Sequence, residues 1–332
     1  MVHWKEVSHI YDSYRRPPSR RQRRRRLKFI VAITAISGIG FLATLAHHST
    51  SPHQPIFSKP AAAESAKPAP FKVSPQWPEH VAAAAVGIKG YGPIATYGEE
   101  GQRPTASIAK VITALAILEK KPLKIGQEGP RIPITARDEQ RYHDYVAQNG
   151  SVAEVQAGVP ITERQALAAM LLPSANNIAD TTAVWAFGSL ANYQAYANEM
   201  LQRKGLAHTV VGGDASGLDP KTKSTTRDLV KLGELALENP VIAEIVAQHD
   251  TGYFPVTGAL PNYNRLVTSH GYSGIKLGDS NEAGITLLFS TRFEYAGKPY
   301  DLIGVVLGAH SDYQPQESAY QFMESVKASA HN

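Results

Sequence analysis

Residues 29–46 (FIVAITAISGIGFLATLA) form an 18-residue run without a charged side chain, and Arg23–Arg26 stand just before it. Eighteen helical residues span roughly 27 Å, close to the roughly 30 Å hydrocarbon core of a bilayer. A buried core helix is a poor fit to a run with four arginines at its mouth. The apolar part of a cleaved leader is usually shorter, roughly 7–15 residues. Thr44-Leu45-Ala46 nevertheless offers a cleavage site of the A-x-A type. The length favours a retained single-pass anchor over 29–46. The arginines fix its direction by the positive-inside rule: residues 1–28 are a cytoplasmic basic tail, and everything after about residue 47 lies outside the cell membrane.

Charge divides the chain at the same place. The net charge of +5 is the sum of +8 in residues 1–28 and −3 in the remainder, so the folded part is not basic. That argues against a nucleic-acid partner. Cysteine is absent, which removes disulfides, thiolate catalysis and cysteine-ligated metal centres. No H-E-x-x-H occurs, and His47-His48 fall beside the anchor, so no metal or other cofactor is expected.

Seven prolines lie between 47 and 80, with Ala, Ser and Lys among them. This composition predicts an extended extracytoplasmic linker. Residues 81–332 read as one domain large enough for its own core. Val81–Lys89 and Pro93–Tyr97, separated by Gly90-Tyr91-Gly92, predict a hairpin. Ile108, Val111, Ile112, Leu115 and Leu118 give Ser107–Lys120 a helical period. Thr162–Gln165 predicts a capping box opening a helix through Leu172, and Thr225 with Asp228 a second helix start. Strand-like runs at Ile285–Ser290 and Leu302–Leu307 and a last helix near Gln316–Lys327 complete the pattern. Together these predict an α+β fold: one antiparallel sheet built from both ends of the domain and covered by helices.

Three short motifs occur in order: Ser107-Ile108-Ala109-Lys110, Ser174-Ala175-Asn176 and Lys276-Leu277-Gly278. Ser107 falls in the first turn of a helix, where free N–H groups and the helix dipole favour developing negative charge. That suits a serine attacking a carbonyl. Lys110, three residues on, shares its helix face. A lysine becomes a general base when desolvation or a neighbouring cation lowers its pKa, and Lys276 is a candidate for that cation. Taken singly, each motif also has a structural reading: a helix cap, a solvated lysine, a helix start after Pro173, a strand-edge lysine.

In context the chain resembles the penicillin-binding D-alanyl-D-alanine carboxypeptidases, serine peptidases of low molecular mass. The resemblance runs over about 81–325. It includes Arg103–Leu115 around the first motif, Met170–Asn177 around the second, the segment Ser216–Pro220 leading into Ser224–Leu229, and Asn262–Leu266 before Gly274-Ile275-Lys276. It implies a β-lactamase/transpeptidase-like fold with an all-helical lobe and the active site between lobe and sheet. It implies that Ser107 is acylated, that Lys110 takes its proton, and that Ser174, Asn176 and Lys276 complete the network. Leu277, Gly278 and Asp279 would bind substrate, with the N–H groups of Ser107 and Asp279 as oxyanion donors. The implied partners are peptidoglycan stem peptides ending in D-Ala-D-Ala, with β-lactam antibiotics as inhibitors.

Two departures concern one task. Leu277 stands where the family has threonine, whose hydroxyl helps hold the substrate's terminal carboxylate. The family arginine that shares this work would fall near Gln316, and no arginine follows Arg292. Two charge-assisted hydrogen bonds are worth roughly 3–6 kcal/mol together. The alternatives to a strict carboxypeptidase are therefore a DD-endopeptidase and a non-catalytic wall-binding homologue. A class A β-lactamase is disfavoured, because no glutamate lies between Glu199 and Glu234 to activate a deacylating water.

Overall fold

The computed structural model describes residues 67–310 and 314–331. The tail, the anchor and the linker up to residue 66 lie outside the described residues. No helix among the described residues is long and apolar enough to cross a membrane.

Five strands form one antiparallel sheet in the order β2-β1-β5-β4-β3: β1 is Ala83–Ile88, β2 Gly92–Gly98, β3 Ile275–Ser280, β4 Gly284–Tyr295 and β5 Lys298–Ala309. All six β1 residues are buried. A strand covered on both faces reads as a continuous apolar run and not as an alternation. β1, from the start of the domain, pairs with β5, from its end, with Ala83 opposite Leu307 and Ile88 opposite Leu302. The sheet is thus closed by the two ends of the domain. β3 is an edge strand.

The helices are α1 Ala109–Lys120, α2 Ala136–Ala147, α3 Glu163–Leu171, α4 Asn176–Phe187, α5 Leu190–Arg203, α6 Thr226–Glu238, α7 Pro240–Val246, α8 Arg265–His270 and α9 Pro315–Ala328. The Thr162–Gln165 capping box opens α3, with the N–H of Gln165 donating to Thr162 Oγ1. Thr225 caps α6 in the same way. Asn239 ends α6 and at once caps α7, accepting from the N–H groups of Val241 and Ile242, with Pro240 at the first turn. The pair Asn239-Pro240 therefore joins two helices and does not simply stop one.

Apolar side chains gather in two clusters. The larger holds α1, α3, α4, α5 and α6 together and reaches the sheet through Ile275, Leu288, Ile303 and Val305. The smaller joins the sheet to α9 through Val86, Leu287, Phe289, Val306, Phe322 and Met323. The sheet is thus a middle layer between a helical lobe and a C-terminal helix.

The end of the proline-rich stretch belongs to this core and does not act as a spacer. Phe71 is 2% exposed. Its ring lies 4.7 Å from that of Tyr295, 5.4 Å from Tyr300 and 5.6 Å from Phe293, centroid to centroid. Trp77 stacks on Phe322 at 5.3 Å and on Tyr97 at 5.7 Å. Lys72 exchanges backbone hydrogen bonds with His331. Residues 71–80 were expected in the linker. Their aromatic side chains find partners supplied by β2, β4, β5 and α9, and that burial outweighs the composition.

Candidate active site

The first motif straddles a joint. Ala106–Ile108 form a 3₁₀ turn that runs into α1, so Ser107 lies in that turn and Lys110 in the α-helix. Ala106 has φ +45°, a left-handed value costly for a residue with a Cβ. The sheet holds the turn in place: Thr286 Oγ1 on β4 donates to the carbonyl of Thr105 at 2.9 Å.

Lys110 is fully buried, and its Nζ donates to Ser107 Oγ at 2.7 Å, Asn176 Oδ1 at 2.7 Å and the Ser216 carbonyl at 2.9 Å. Burial brings its pKa down to about 7, while the charges of Asp214 and Asp180 oppose the shift. The amine is therefore poised between base and ammonium near neutral pH. Lys276 is also pushed well below the lysine range, by burial first and by the charge of Lys110 second.

Ser174 and Asn176 sit where α3 turns into α4. Ser174 is buried with φ +67°, so the chain turns tightly at this serine. The corner is pinned from three sides. The N–H of Ala175 donates to Ala169 O, that of Asn176 to Ser151 O at 2.8 Å, and that of Tyr263 to Leu172 O at 3.1 Å. Asn176, the first residue of α4, thereby points its amide oxygen at Lys110. Ser174 is not among Lys110's partners among the described residues.

The third motif lies on edge strand β3, packed against the 3₁₀ turn. Lys276 is 1% exposed and its Nζ donates to the Leu277 carbonyl at 2.7 Å. Gly278 faces the nucleophile turn so closely that a Cβ there would stand 2.8 Å from Ser107 N and 2.5 Å from Thr286 Oγ1. No side chain fits between this strand and the serine. Leu277 points elsewhere: it is half-buried against the smaller apolar cluster. Asp279 is exposed and stands in register with Ile285. Among the described residues β3 pairs with β4 alone.

Part of the site carried no residue-type signal. The Ser216 carbonyl acts through backbone, in a segment to which the family resemblance assigns no catalytic residue. Its loop is tied by Asp214, whose Oδ1 accepts from Ser216 N at 2.7 Å, Ser216 Oγ at 2.9 Å and Gly217 N at 2.6 Å. Gly217, at φ +81°, passes so near that a Cβ would collide with Ala106 O at 2.0 Å. Asp180 is the residue that spacing could have found, since it lies one helical turn after Asn176 on the same face. An open cleft of about 830 Å³ lined by Arg164, Gln165, His249 and Tyr253, among others, contains none of the motif residues.

Comparison with known proteins identifies the family and the fold. A family described as D-alanyl-D-alanine carboxypeptidase matches residues 73–311. The crystal structure of the Streptomyces K15 DD-transpeptidase is similar, with 23% identity and a TM-score of 0.66 over 77% of this chain and 100% of that one. The D-alanyl-D-alanine carboxypeptidase of Mycobacterium tuberculosis is similar at 24% identity, with a TM-score of 0.64 over 76% of this chain and 93% of that one. At these identities the solved structures show a shared fold. No curated protein matches the chain by sequence.

Proposed function

Because the chain belongs to the D-alanyl-D-alanine carboxypeptidase family and is a serine-type enzyme of that class, we propose that it cleaves peptidoglycan stem peptides through an acyl-enzyme on Ser107. The observation that carries this reading is the 2.7 Å contact between Lys110 Nζ and Ser107 Oγ, made by an amine whose pKa is about 7. Neutral Lys110 takes the Ser107 proton as Oγ bonds to the penultimate carbonyl carbon. The resulting oxyanion is met by the N–H groups of Ser107 and Asp279. The C–N bond breaks, and the terminal D-Ala leaves with a proton returned by the ammonium of Lys110. Water then repeats the sequence on the ester and frees Ser107. Asn176 orients Lys110, while Ser174 and Lys276 serve proton transfer and substrate binding. Leu277 and Gly278 line the strand edge along which the peptide lies.

Residues 29–46 anchor the enzyme in the cell membrane, with residues 1–28 in the cytoplasm and the catalytic domain outside, where the polymer is found. β-Lactams are inhibitors because they acylate the same serine. The inward packing of Leu277 favours one second reading, a DD-endopeptidase whose substrate has no free carboxylate at that position.

Labelled penicillin tests the nucleophile. It is expected to modify the parent at Ser107 and not Ser107→Ala, with thermal stability nearly unchanged since Ser107 is only half-buried. Equal labelling of both proteins would refute the assignment. Protease added to intact cells is expected to degrade the domain and spare an epitope within residues 1–28; the reverse pattern would refute the orientation.

A further inference from the structure

Asp180 has no place in the reaction just described, yet it is buried among the groups that hold Lys110. It is 5% exposed. Its Oδ1 accepts from the N–H of Ala215 at 2.9 Å and its Oδ2 from Tyr145 Oη at 2.7 Å. The other end of Ala215 is also fixed: its carbonyl accepts from Thr113 Oγ1 at 2.7 Å, and that hydroxyl also contacts Tyr193 Oη at 2.7 Å. The next carbonyl along the chain, that of Ser216, is the one that takes a proton of Lys110. Asp180 and Asn176 therefore reach one ammonium group from successive turns of α4, one directly and one through two residues of backbone.

We infer that Asp180 is a positioning residue for the Ser107–Lys110 pair, holding the Ala215–Ser216 backbone on Lys110 and supplying a buried negative charge behind it. The inference rests on the reading of Lys110 as the general base. The hold is mechanical in part. Without an acceptor at Asp180, the Ala215 N–H is left buried and unbonded, and the Ser216 carbonyl loses one of its supports. It is electrostatic in part. A carboxylate in a dry interior favours the ammonium form of a nearby lysine. Asp180 is itself set at about 6, raised by burial, with the Ala215 and Tyr145 hydrogen bonds opposing, Asp214 adding to the rise and Arg141 opposing. The charged and titratable groups that face it are Lys110 on α1, Arg141 and Tyr145 on α2, Tyr193 on α5 and Asp214 in the loop. Its charge is thus largely present at about pH 7, where Lys110 changes state, and is lost progressively as the pH falls through about 6.

The test is the pH profile of acylation by labelled penicillin in the full chain, with circular dichroism to verify folding. Asp180→Asn keeps the shape and an acceptor for Ala215 but removes the charge. The acid limb of its profile is expected to move to lower pH, since neutral Lys110 becomes easier to reach. Asp180→Ala is expected to show the same displacement and a plateau rate about tenfold lower, as expected for a weakened constraint on the base. A merely structural role would lower the melting temperature and leave the acid limb where it was. An acid limb of Asp180→Asn that superimposes on the parent overturns the inference. Should Asp180→Asn not fold, Tyr145→Phe decides. It removes one hydrogen bond to the carboxylate, weakens the ionised form and is expected to displace the limb in the same direction; no displacement overturns the inference. A parent without labelling, or with a flat acid side, refutes the role of the Ser107–Lys110 pair itself, and the inference falls with it.

Discussion

Lys110 Nζ and Ser107 Oγ are 2.7 Å apart across the joint between a 3₁₀ turn and an α-helix, and the lysine is buried while the serine is half-exposed. The joint makes this difference possible. One face of the turn looks toward β3, and the helix that follows sinks at once into the apolar lobe. A desolvated amine and a half-exposed hydroxyl are thereby held on adjacent turns, the arrangement that the proposed acylation requires.

The first prediction follows from that desolvation. The acylation rate is expected to fall as pH drops through about 7, because the ammonium form of Lys110 cannot accept the serine proton. Lys110→Arg is expected to lose at least about 100-fold in rate at neutral pH, since guanidinium stays protonated. Stopped-flow acylation with a fluorescent penicillin measures both. A Lys110→Arg protein that acylates at the parent rate would place the base elsewhere.

A second prediction concerns the beginning of the domain. Phe71→Ala empties a site bounded by Phe293, Tyr295 and Tyr300 and is expected to cost about 3 kcal/mol, read as a lower urea midpoint at an unchanged slope. Limited proteolysis of residues 47–332 is expected to stop before Phe71. A stable product that begins at residue 81 would contradict the packing of the 71–80 segment.

These examples show what sequence can and cannot disclose. The hairpin, α1, the capping box of α3, the Thr225 cap of α6 and the three motifs were all legible, because each rests on local spacing. Residues 71–80 were not. Pro75 and Pro78 continue the proline-rich stretch before them, while the partners of Phe71 and Trp77 lie more than 200 residues away, apart from Tyr97. Helix α4 was hard to read because it is buried on nearly every side, so its polar residues Asn176, Asn177, Asp180 and Thr181 face the interior and not solvent. The Ser216 carbonyl was invisible in principle, since every residue type has one.

Glu163 carries the third prediction. It begins α3, is fully buried, and both carboxylate oxygens lack a hydrogen-bond partner among the described residues. Burial raises its pKa from 4.5 to about 7, against the opposing charge of Lys121. Between those values the folded chain holds more protons than the unfolded chain, so this group makes stability fall as pH rises from 4.5 to about 7. Glu163→Gln is expected to flatten that fall and to stabilise the protein at pH 7.5 by on the order of 1 kcal/mol. Thermal melts of both proteins at several pH values give the comparison. A mutant less stable than the parent at pH 7.5 would mean that the carboxylate has a favourable partner.

The last prediction tests Leu277. On β3 the Gly278 backbone lies against the turn that carries Ser107 and Lys276 is buried beside it, while Leu277 leans on the cluster that joins the sheet to α9. Leu277→Thr removes apolar contact there and is expected to cost roughly 1 kcal/mol of stability. It also supplies a hydroxyl beside Lys276. If the terminal carboxylate of a D-Ala-D-Ala peptide lies at this point, one charge-assisted hydrogen bond is gained, and turnover of that peptide is expected to rise roughly tenfold. A peptide whose C-terminus is amidated or extended offers no carboxylate there and is expected to change little. Measuring both peptides with parent and mutant separates the effects, because a general loss of stability or of acylation alters both substrates alike. An equal change on the two, or a loss confined to the free-carboxylate peptide, would identify Leu277 as an adaptation to a substrate without that carboxylate. The endopeptidase reading would then be preferred.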